Sequence, residues 1–376
     1  MITRTLQSEI EGKLFKGKAI IVLGARQTGK TTLLKNIADQ HDPYTFMNCD
    51  EPIVRERLGN INLAELKRII GGNRMVFIDE AQRVSNIGLT LKLITDQLPH
   101  VQLIVSGSSS LELANEINEP LTGRKWEYLL YPVSWKEFAD HAGYFSTAGE
   151  LEHRLVYGMY PEVIIHSDEN GEEERLLQLS DSYLYKDLLG YEGIRKPDIL
   201  ENLLKSLALQ LGSEVSYNEL ARTLQIDKNT VSNYIDLLEK VFVVFRLPAF
   251  SRNMRKEITR GKKIYFYDNG IRNAVISNFQ PFSLRPDKGA LWENFLISER
   301  MKTLHYNKKR VNHYFWRTTD QREIDLIEET PEGIRAFEFK WNPRSKTRIP
   351  KSFSKQYNAI VNVVHKDNYV EFFEDV

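Results

Sequence analysis

The sequence contains one cysteine, Cys49, in 376 residues, which excludes an intramolecular disulfide and any zinc site built from several thiolates. A lone thiol in such a chain reads as a small buried hydrophobe. Long apolar runs are also missing. None approaches the roughly 20 residues that cross a bilayer, and the opening segment MITRTLQSEIEGKLFKGK has no secretory apolar core. A cytoplasmic location with no membrane partner is the expectation. Net charge is absent too, since 51 lysines and arginines balance 51 aspartates and glutamates. The whole chain therefore has no field that draws it onto polyanions, and a nucleic-acid surface has to be a local patch. Internal repeats and low-complexity tracts are lacking.

What is present is an ordinary globular composition, 41% apolar and 27% charged. The length exceeds what one core usually serves, so several domains are expected. Ala19–Leu23, Tyr44–Asn48, Met75–Ile78 and Val101–Ser106 are short apolar runs separated by amphipathic stretches. That alternation predicts an α/β fold with a parallel sheet buried on both faces. Four modules follow: a parallel α/β core over 1–130, a helical lid or linker over 131–199, a helix-rich unit over 200–280, and a small α/β unit over 285–376. The acidic cluster Asp168, Glu169, Glu172, Glu173, Glu174 reads as a solvated helix start or loop.

Directly after Ala19–Leu23 comes Gly24-Ala25-Arg26-Gln27-Thr28-Gly29-Lys30-Thr31-Thr32, followed by Leu33, Leu34 and Ile37 at helical spacing. This is the G-x-x-x-x-G-K-[ST] phosphate loop in its strand-loop-helix context. Its glycines let successive backbone N–H groups and a helix N-terminus face negative charge. Residues 24–32 are thus expected to cradle the phosphates of ATP, with Lys30 reaching the β- and γ-phosphates and the Thr31 hydroxyl ligating Mg2+. The strand Met75–Ile78 ends in Asp79-Glu80. Acids at the carboxyl end of a parallel strand sit where such sheets bind ligands. Asp79 is expected in the magnesium shell, and Glu80 to orient and deprotonate the attacking water. Leu103–Ser106 runs into Gly107-Ser108-Ser109-Ser110, and these hydroxyls, Ser106 foremost, can contact the nucleotide or simply make turns and caps. Arg124, after Gly123, is either an arginine finger toward a neighbouring subunit's nucleotide or a surface ion-pairing residue.

Together GARQTGKT, VFIDEAQ, IVSGSSS and LTGR followed by LLYPVSWKEF resemble the predicted prokaryotic ATPases of the AAA+ superfamily, close to the nucleotide-switch (STAND) ATPases. The likeness continues through GMYPEV (158–163) and Tyr183-Leu184-Tyr185-Lys186-Asp187 into a C-terminal domain that such proteins carry. It implies Lys30, Thr31, Asp79 and Glu80 as nucleotide and magnesium residues, Arg124 as the match to the family's glycine-arginine motif, and a homo-oligomer.

Ser216–Leu224 and Lys228–Leu238, separated by Gln225-Ile226-Asp227, have the shape of helix, tight turn, helix. Leu220, Leu224, Ile226, Val231, Ile235 and Leu238 would pack inward, leaving Lys228, Asn229, Thr230, Ser232 and Asn233 outward as candidate DNA contacts. With the strands that follow, the unit reads as a winged helix. A basic strip (Arg246, Arg252, Arg255, Lys256, Arg260, Lys262, Lys263, against Glu257) can grip a phosphate backbone or be a solvated face. Winged helices also serve as protein-protein spacers.

At the end of the chain, Glu293 lies in a helix-like stretch, Asp325 in a strand over 323–328, and Glu338-Phe339-Lys340 in a strand over 333–341. Glu338 and Lys340 alternate and so share one strand face. Asp325 and Glu338 can form a second divalent-metal site, with Lys340 polarising water or a scissile phosphate. This pattern resembles the restriction-endonuclease-like fold, with Glu293 as its helix glutamate. Lys340, Arg344, Lys346, Arg348, Lys351 and Lys355 are placed to hold DNA, although E-x-K is also ordinary charge pairing. The leading expectation is a Mg-dependent ATPase that repositions DNA-facing modules. The alternatives are an ATP-gated nuclease and a slow signalling switch that recruits a protein partner.

Overall fold

A computed structural model describes residues 1–108, 120–166, 171–182, 196–251, 261–318, 322–347 and 349–375. Ser109, Ser110, Asp168, Glu169, the segment Tyr183–Asp187, Arg252, Arg255, Lys256, Glu257, Arg260 and Arg348 lie outside the described residues.

Strands β1 (Ala19–Leu23), β2 (Thr45–Asn48), β3 (Met75–Asp79), β4 (Gln102–Gly107) and β5 (Lys125–Leu129) form one parallel sheet in the order β2-β3-β4-β1-β5. Strands β1, β3 and β4 are buried along their whole length, as strands covered on both faces must be. Ile20, Val22, Phe77 and Ile104 pack with Leu33, Leu34 and Ile37. Their neighbours Ile21, Leu23, Ile78 and Val105 face the opposite way, onto Leu66, Leu91 and Ile94, because side chains alternate along a strand. The edge strand β5 is the one the sequence reading did not assign. Only Tyr128 of it is buried, while Glu127 is exposed, so it offers no continuous apolar run to read.

Beyond β5 the chain turns helical: Trp135–Ala142, Tyr144–Tyr157, Pro161–Ile165 and Glu172–Ser182. Here one acidic residue departs from its expected solvated role. Glu172 is buried and accepts from Arg154 at 2.6 Å and from the His153 ring at 2.7 Å. It therefore ties two helices together, while Glu173 and Glu174 remain exposed.

The helix Pro197–Leu209, the pair Tyr217–Thr223 and Lys228–Lys240, and the strands β6 (Glu214–Val215), β7 (Val244–Pro248) and β8 (Lys262–Phe266) follow, the strands forming an antiparallel sheet in the order β6-β8-β7. Leu220, Val231, Ile235 and Leu238 are buried between them. The long helix Lys288–Tyr306 then leads into β9 (Asn312–Arg317), β10 (Glu323–Thr330), β11 (Gly333–Phe339) and β12 (Val361–Val364), ordered β12-β11-β10-β9.

Amide and carboxylate side chains join these parts through the interior. Asp268 caps the helix Asn269–Val275 and also accepts the Met159 N–H at 2.6 Å. Gly158, at φ +72°, lies so close that a Cβ there would stand 2.1 Å from Asp268 Oδ1. Asn269 Nδ2 donates to the carbonyls of Leu155 and Leu291, and Asn294 spans both backbone groups of Phe266. A buried polar group left without such partners costs about 1–3 kcal/mol, so this seam fixes how the elements pack.

The Arg154–Glu172 pair generates a stability test. Burial alone would raise the Glu172 carboxyl, but hydrogen bonds from His153 and Arg154 outweigh it and hold the group below its ordinary value. A carboxylate with a lowered folded-state pKa stabilises the fold above its unfolded value and loses that contribution as pH falls through the folded one. Glu172→Gln is expected to cost about 3 kcal/mol at neutral pH and to flatten the loss of stability below the ordinary glutamate range, measured as urea midpoints across pH 3 to 7.

Candidate functional site

The phosphate loop starts where β1 ends. Gly24 has φ +151°, and a Cβ there would stand 2.2 Å from the Leu130 carbonyl oxygen, so backbone packs on backbone and only glycine fits. The loop then closes on itself. The Thr28 hydroxyl donates to the Ala25 carbonyl at 2.9 Å, and the buried Lys30 ammonium donates to the carbonyls of Gly24 at 2.9 Å and Ala25 at 2.7 Å. Lys30 opens the helix Lys30–Asp39, whose positive end and first N–H groups face the loop. Arg26 is half-buried, and Gln27 and Thr32 are exposed.

The acids of β3 meet this loop. Thr31 Oγ1 donates to the Asp79 carboxylate, 3.0 Å from each oxygen. Ser106, at the end of β4, donates to Asp79 Oδ1 and accepts the Glu80 N–H at 3.1 Å. Burial pushes the Asp79 carboxyl above its ordinary range, against the hydrogen bonds from Ser106 and Thr31. Glu80 has φ +55°, a left-handed conformation that a non-glycine residue keeps only where its surroundings enforce it. Its carboxylate accepts from Gln82 Nε2 at 2.6 Å, and the same amide reaches Ser108 Oγ at 2.8 Å. Gln82 was not singled out from the sequence, although its position two residues after Glu80 was a signal. The Thr31 hydroxyl and Asp79 carboxylate are hard oxygen donors side by side, a set that suits Mg2+ over softer metals. Cys49 is buried beside Asp79, its thiol pushed up to about 12 chiefly by burial.

Arg124 does not join this group. It precedes β5, and its carbonyl accepts the Ala19 N–H at 2.9 Å, at the start of β1 rather than at its loop end. Its guanidinium pairs with Asp96 at 2.6 Å. The parallel register thus carries Arg124 to the amino ends of the strands, at the opposite end of the sheet from the phosphate loop of its own chain.

The residues proposed near the C-terminus do converge. Asp325 is buried, with Oδ2 accepting the Phe339 N–H at 2.7 Å, and Lys340 donates to Glu338 at 2.6 Å. Glu293, in the helix Lys288–Tyr306, accepts from Lys263 Nζ at 2.9 Å and from the Tyr265 hydroxyl. Lys263 also pairs with Glu323. Burial first, then Glu293 and Glu338, push the Asp325 carboxyl well above its ordinary value, and burial raises Glu338 despite Lys340. Among the described residues, no three His, Cys, Asp or Glu side chains are placed to hold one metal ion.

Lys263 departs from its expected place in a basic strip. It is 1% exposed, and although burial disfavours its charge, Glu293, Glu323 and Asp325 hold its pKa above the ordinary lysine value. It faces acids of the C-terminal unit rather than a DNA backbone. Arg246 likewise pairs with Asp236 and Glu239. Of the candidate DNA contacts, Lys228, Asn229 and Asn233 are exposed, Ser232 is half-buried, and Thr230 is engaged by the helix cap Asp227 at 2.9 Å. Lys346 and Lys355 are exposed.

Comparison with known proteins agrees with the N-terminal geometry. A family profile described as an AAA domain matches residues 16–139. Profiles described only as domains of unknown function, DUF8612 and DUF4143, match 148–281 and 288–374. The uncharacterized protein Rv2008c of Mycobacterium tuberculosis is 27% identical over 364 residues, covering 96% of this chain and 77% of that protein. The uncharacterized protein MJ1544 of Methanocaldococcus jannaschii is 25% identical, covering 94% of this chain and 81% of its own. Among solved structures, the Walker-type ATPase PABY2304 of Pyrococcus abyssi shares the fold, with a TM-score of 0.51, 15% identity, and coverage of 73% of this chain and 96% of that one. Residues 16–139 thus match an AAA domain profile and hold the parallel sheet, and a smaller α/β domain follows at the C-terminal end.

The buried ammonium among the acids generates a prediction. Lys263→Met is expected to destabilise the chain by about 3 kcal/mol, because it leaves the buried Asp325 and the half-buried Glu293 and Glu323 without their cation. Adding Glu323→Gln should recover part of that loss, measured by denaturant unfolding at pH 7.5.

Proposed function

We propose that this chain is a Mg-dependent ATP hydrolase whose nucleotide state repositions DNA-facing modules in its second half. The observation that carries the reading is the meeting of Lys30 and Thr31 with Asp79 and Glu80 at the carboxyl ends of β1 and β3. In this reading Lys30 leaves the Gly24 and Ala25 carbonyls for the β- and γ-phosphates, and backbone N–H groups of residues 24–32 hold the remaining phosphate oxygens. Thr31 and Asp79 would hold Mg2+, which supplies charge neutralisation on those phosphates. Glu80 orients the attacking water and takes its proton, while Gln82 and Ser108 fix the Glu80 carboxylate. Supporting DNA contact, Lys228, Asn229 and Asn233 lie exposed at the start of the second helix of a winged-helix-like unit. Arg124 enters only if a neighbouring copy of the chain presents it to the site in a homo-oligomer.

Calorimetric titration with Mg·ATP, alongside phosphate release, tests the reading. Lys30→Ala is expected to lose nucleotide binding. Glu80→Gln is expected to bind ATP but turn over roughly 100-fold more slowly. Retained binding and hydrolysis in Lys30→Ala would overturn the site. A steep loss of DNA affinity with salt is expected if the second half contacts the phosphate backbone. Salt-independent or absent DNA binding would favour a slow switch that recruits a protein.

A second reading, an ATP-gated nuclease, is favoured by the convergence of Glu293, Asp325, Glu338 and Lys340. In the present arrangement Glu293 is engaged by the Lys263 ammonium, so it can serve this reading only once that contact is broken. Cleavage of varied DNA substrates with Mg2+ or Mn2+, abolished by Asp325→Ala, is its expected result. Equal behaviour of wild type and Asp325→Ala would end it.

A further inference from the structure

Arg4 precedes the first strand and carries none of the phosphate-loop signature, yet its guanidinium is wired into the loop. Nη1 donates to the Thr28 carbonyl at 2.6 Å, Nη2 donates to the Tyr131 carbonyl at 2.6 Å, and Nε lies 3.2 Å from Glu137 Oε2. Arg4 is 6% exposed and Glu137 2% exposed. A planar guanidinium fork serves several acceptors in fixed directions, which a lysine ammonium does not. In a trans peptide the C=O and N–H point opposite ways. By holding the Thr28 carbonyl, Arg4 therefore turns the Gly29 N–H away from itself, at the position directly before Lys30.

The other end of this contact lies in the C-terminal unit. Glu137 closes a capping box with Ser134 and accepts the Thr5 N–H at 2.7 Å. The next residue of that helix start, Trp135, donates its N–H to Glu299 at 2.6 Å. Glu299 is paired with Lys302, which also reaches the Val133 carbonyl at 3.2 Å. Tyr306 receives the Tyr131 N–H at 3.2 Å. Glu299, Lys302 and Tyr306 all belong to the helix Lys288–Tyr306, which also carries Glu293. A continuous run of buried polar contacts thus leads from Thr28 to that helix.

We propose that Arg4 is a positioning residue for the phosphate loop, and that Glu299 on the C-terminal helix sets Arg4 through the Ser134–Glu137 turn, so that nucleotide affinity depends on the packing of the C-terminal unit. The inference rests on the ATP-binding reading of residues 24–32. A loop held this way contributes to ground state and transition state alike, so its loss shows in KM and Kd rather than in kcat.

The test uses the full chain, with Mg·ADP titrations and steady-state ATP hydrolysis. Arg4→Ala is expected to weaken Mg·ADP roughly tenfold, the scale of a lost charge-assisted hydrogen bond, and to raise KM while kcat stays within about threefold. Millimolar guanidinium should restore part of the affinity to Arg4→Ala and none to Lys30→Ala. Glu299→Gln should weaken Mg·ADP in the same direction, and the double variant Arg4→Ala/Glu299→Gln should be less than additive, as for residues in one network. If Arg4→Ala fails to fold, Arg4→Lys replaces it: it retains charge toward Glu137 but cannot serve both carbonyls, and it too should raise KM. Wild-type affinity in a folded Arg4 variant, with Lys30→Ala unable to bind, overturns the role of Arg4 alone. Strictly additive effects overturn the link to Glu299. Normal binding by Lys30→Ala overturns the nucleotide site itself.

Discussion

A lysine ammonium held inside a backbone loop is the constraint around which the N-terminal half is built. Lys30 is 4% exposed and sits on the carbonyls of Gly24 and Ala25, and a buried charge is tolerated only where strong acceptors surround it. That requirement explains the neighbouring geometry. Gly24 must bring its backbone against Leu130, Thr28 must fold back on Ala25, and the first turn of Lys30–Asp39 must begin there. The same place collects the negative partners, with Asp79 raised by burial and Glu80 held in a left-handed conformation. The loop lysine, the Thr31 hydroxyl and the two acids are thereby gathered at the carboxyl ends of β1 and β3.

The second half of the chain obeys a related rule with different residue types. Its units meet across Asp268, Asn269, Asn273 and Asn294, which spend their hydrogen bonds on backbone groups far away in sequence. Arg300–Glu328 and Glu299–Lys302 add buried ion pairs along the same long helix. Such contacts add little net stability but are costly to break singly, so they specify one arrangement rather than a range of them. The C-terminal acids fit this scheme: Lys263 of β8 is inserted among Glu293, Glu323 and Asp325 and joins the antiparallel sheet to the C-terminal one.

How far the sequence could be read depended on whether a function is carried by neighbours in the chain or by neighbours in space. The phosphate loop and the strands β1, β3 and β4 were legible because their residues are contiguous and their apolar runs are unbroken. The helix pair over 217–240 was legible through its apolar spacing and the short turn between its halves. β5 was not, because an edge strand buries only part of itself. Glu172 looked like a solvated charge, and Lys263 and Arg246 like a phosphate grip or a solvated face, since a charge's burial depends on what packs over it.

By itself the sequence determined the parallel sheet and the eight-residue loop signature with its following acids, because hydrogen-bonding geometry and side-chain alternation act over a few residues. Only the tertiary structure decided that Arg124 lies at the end of the sheet opposite the phosphate loop, that Lys263 serves an acid cluster, and that Arg4 reaches from before the first strand into the loop. These depend on strand register and on long-range closure, where one residue's surroundings come from segments dozens or hundreds of positions away and no local pattern records them.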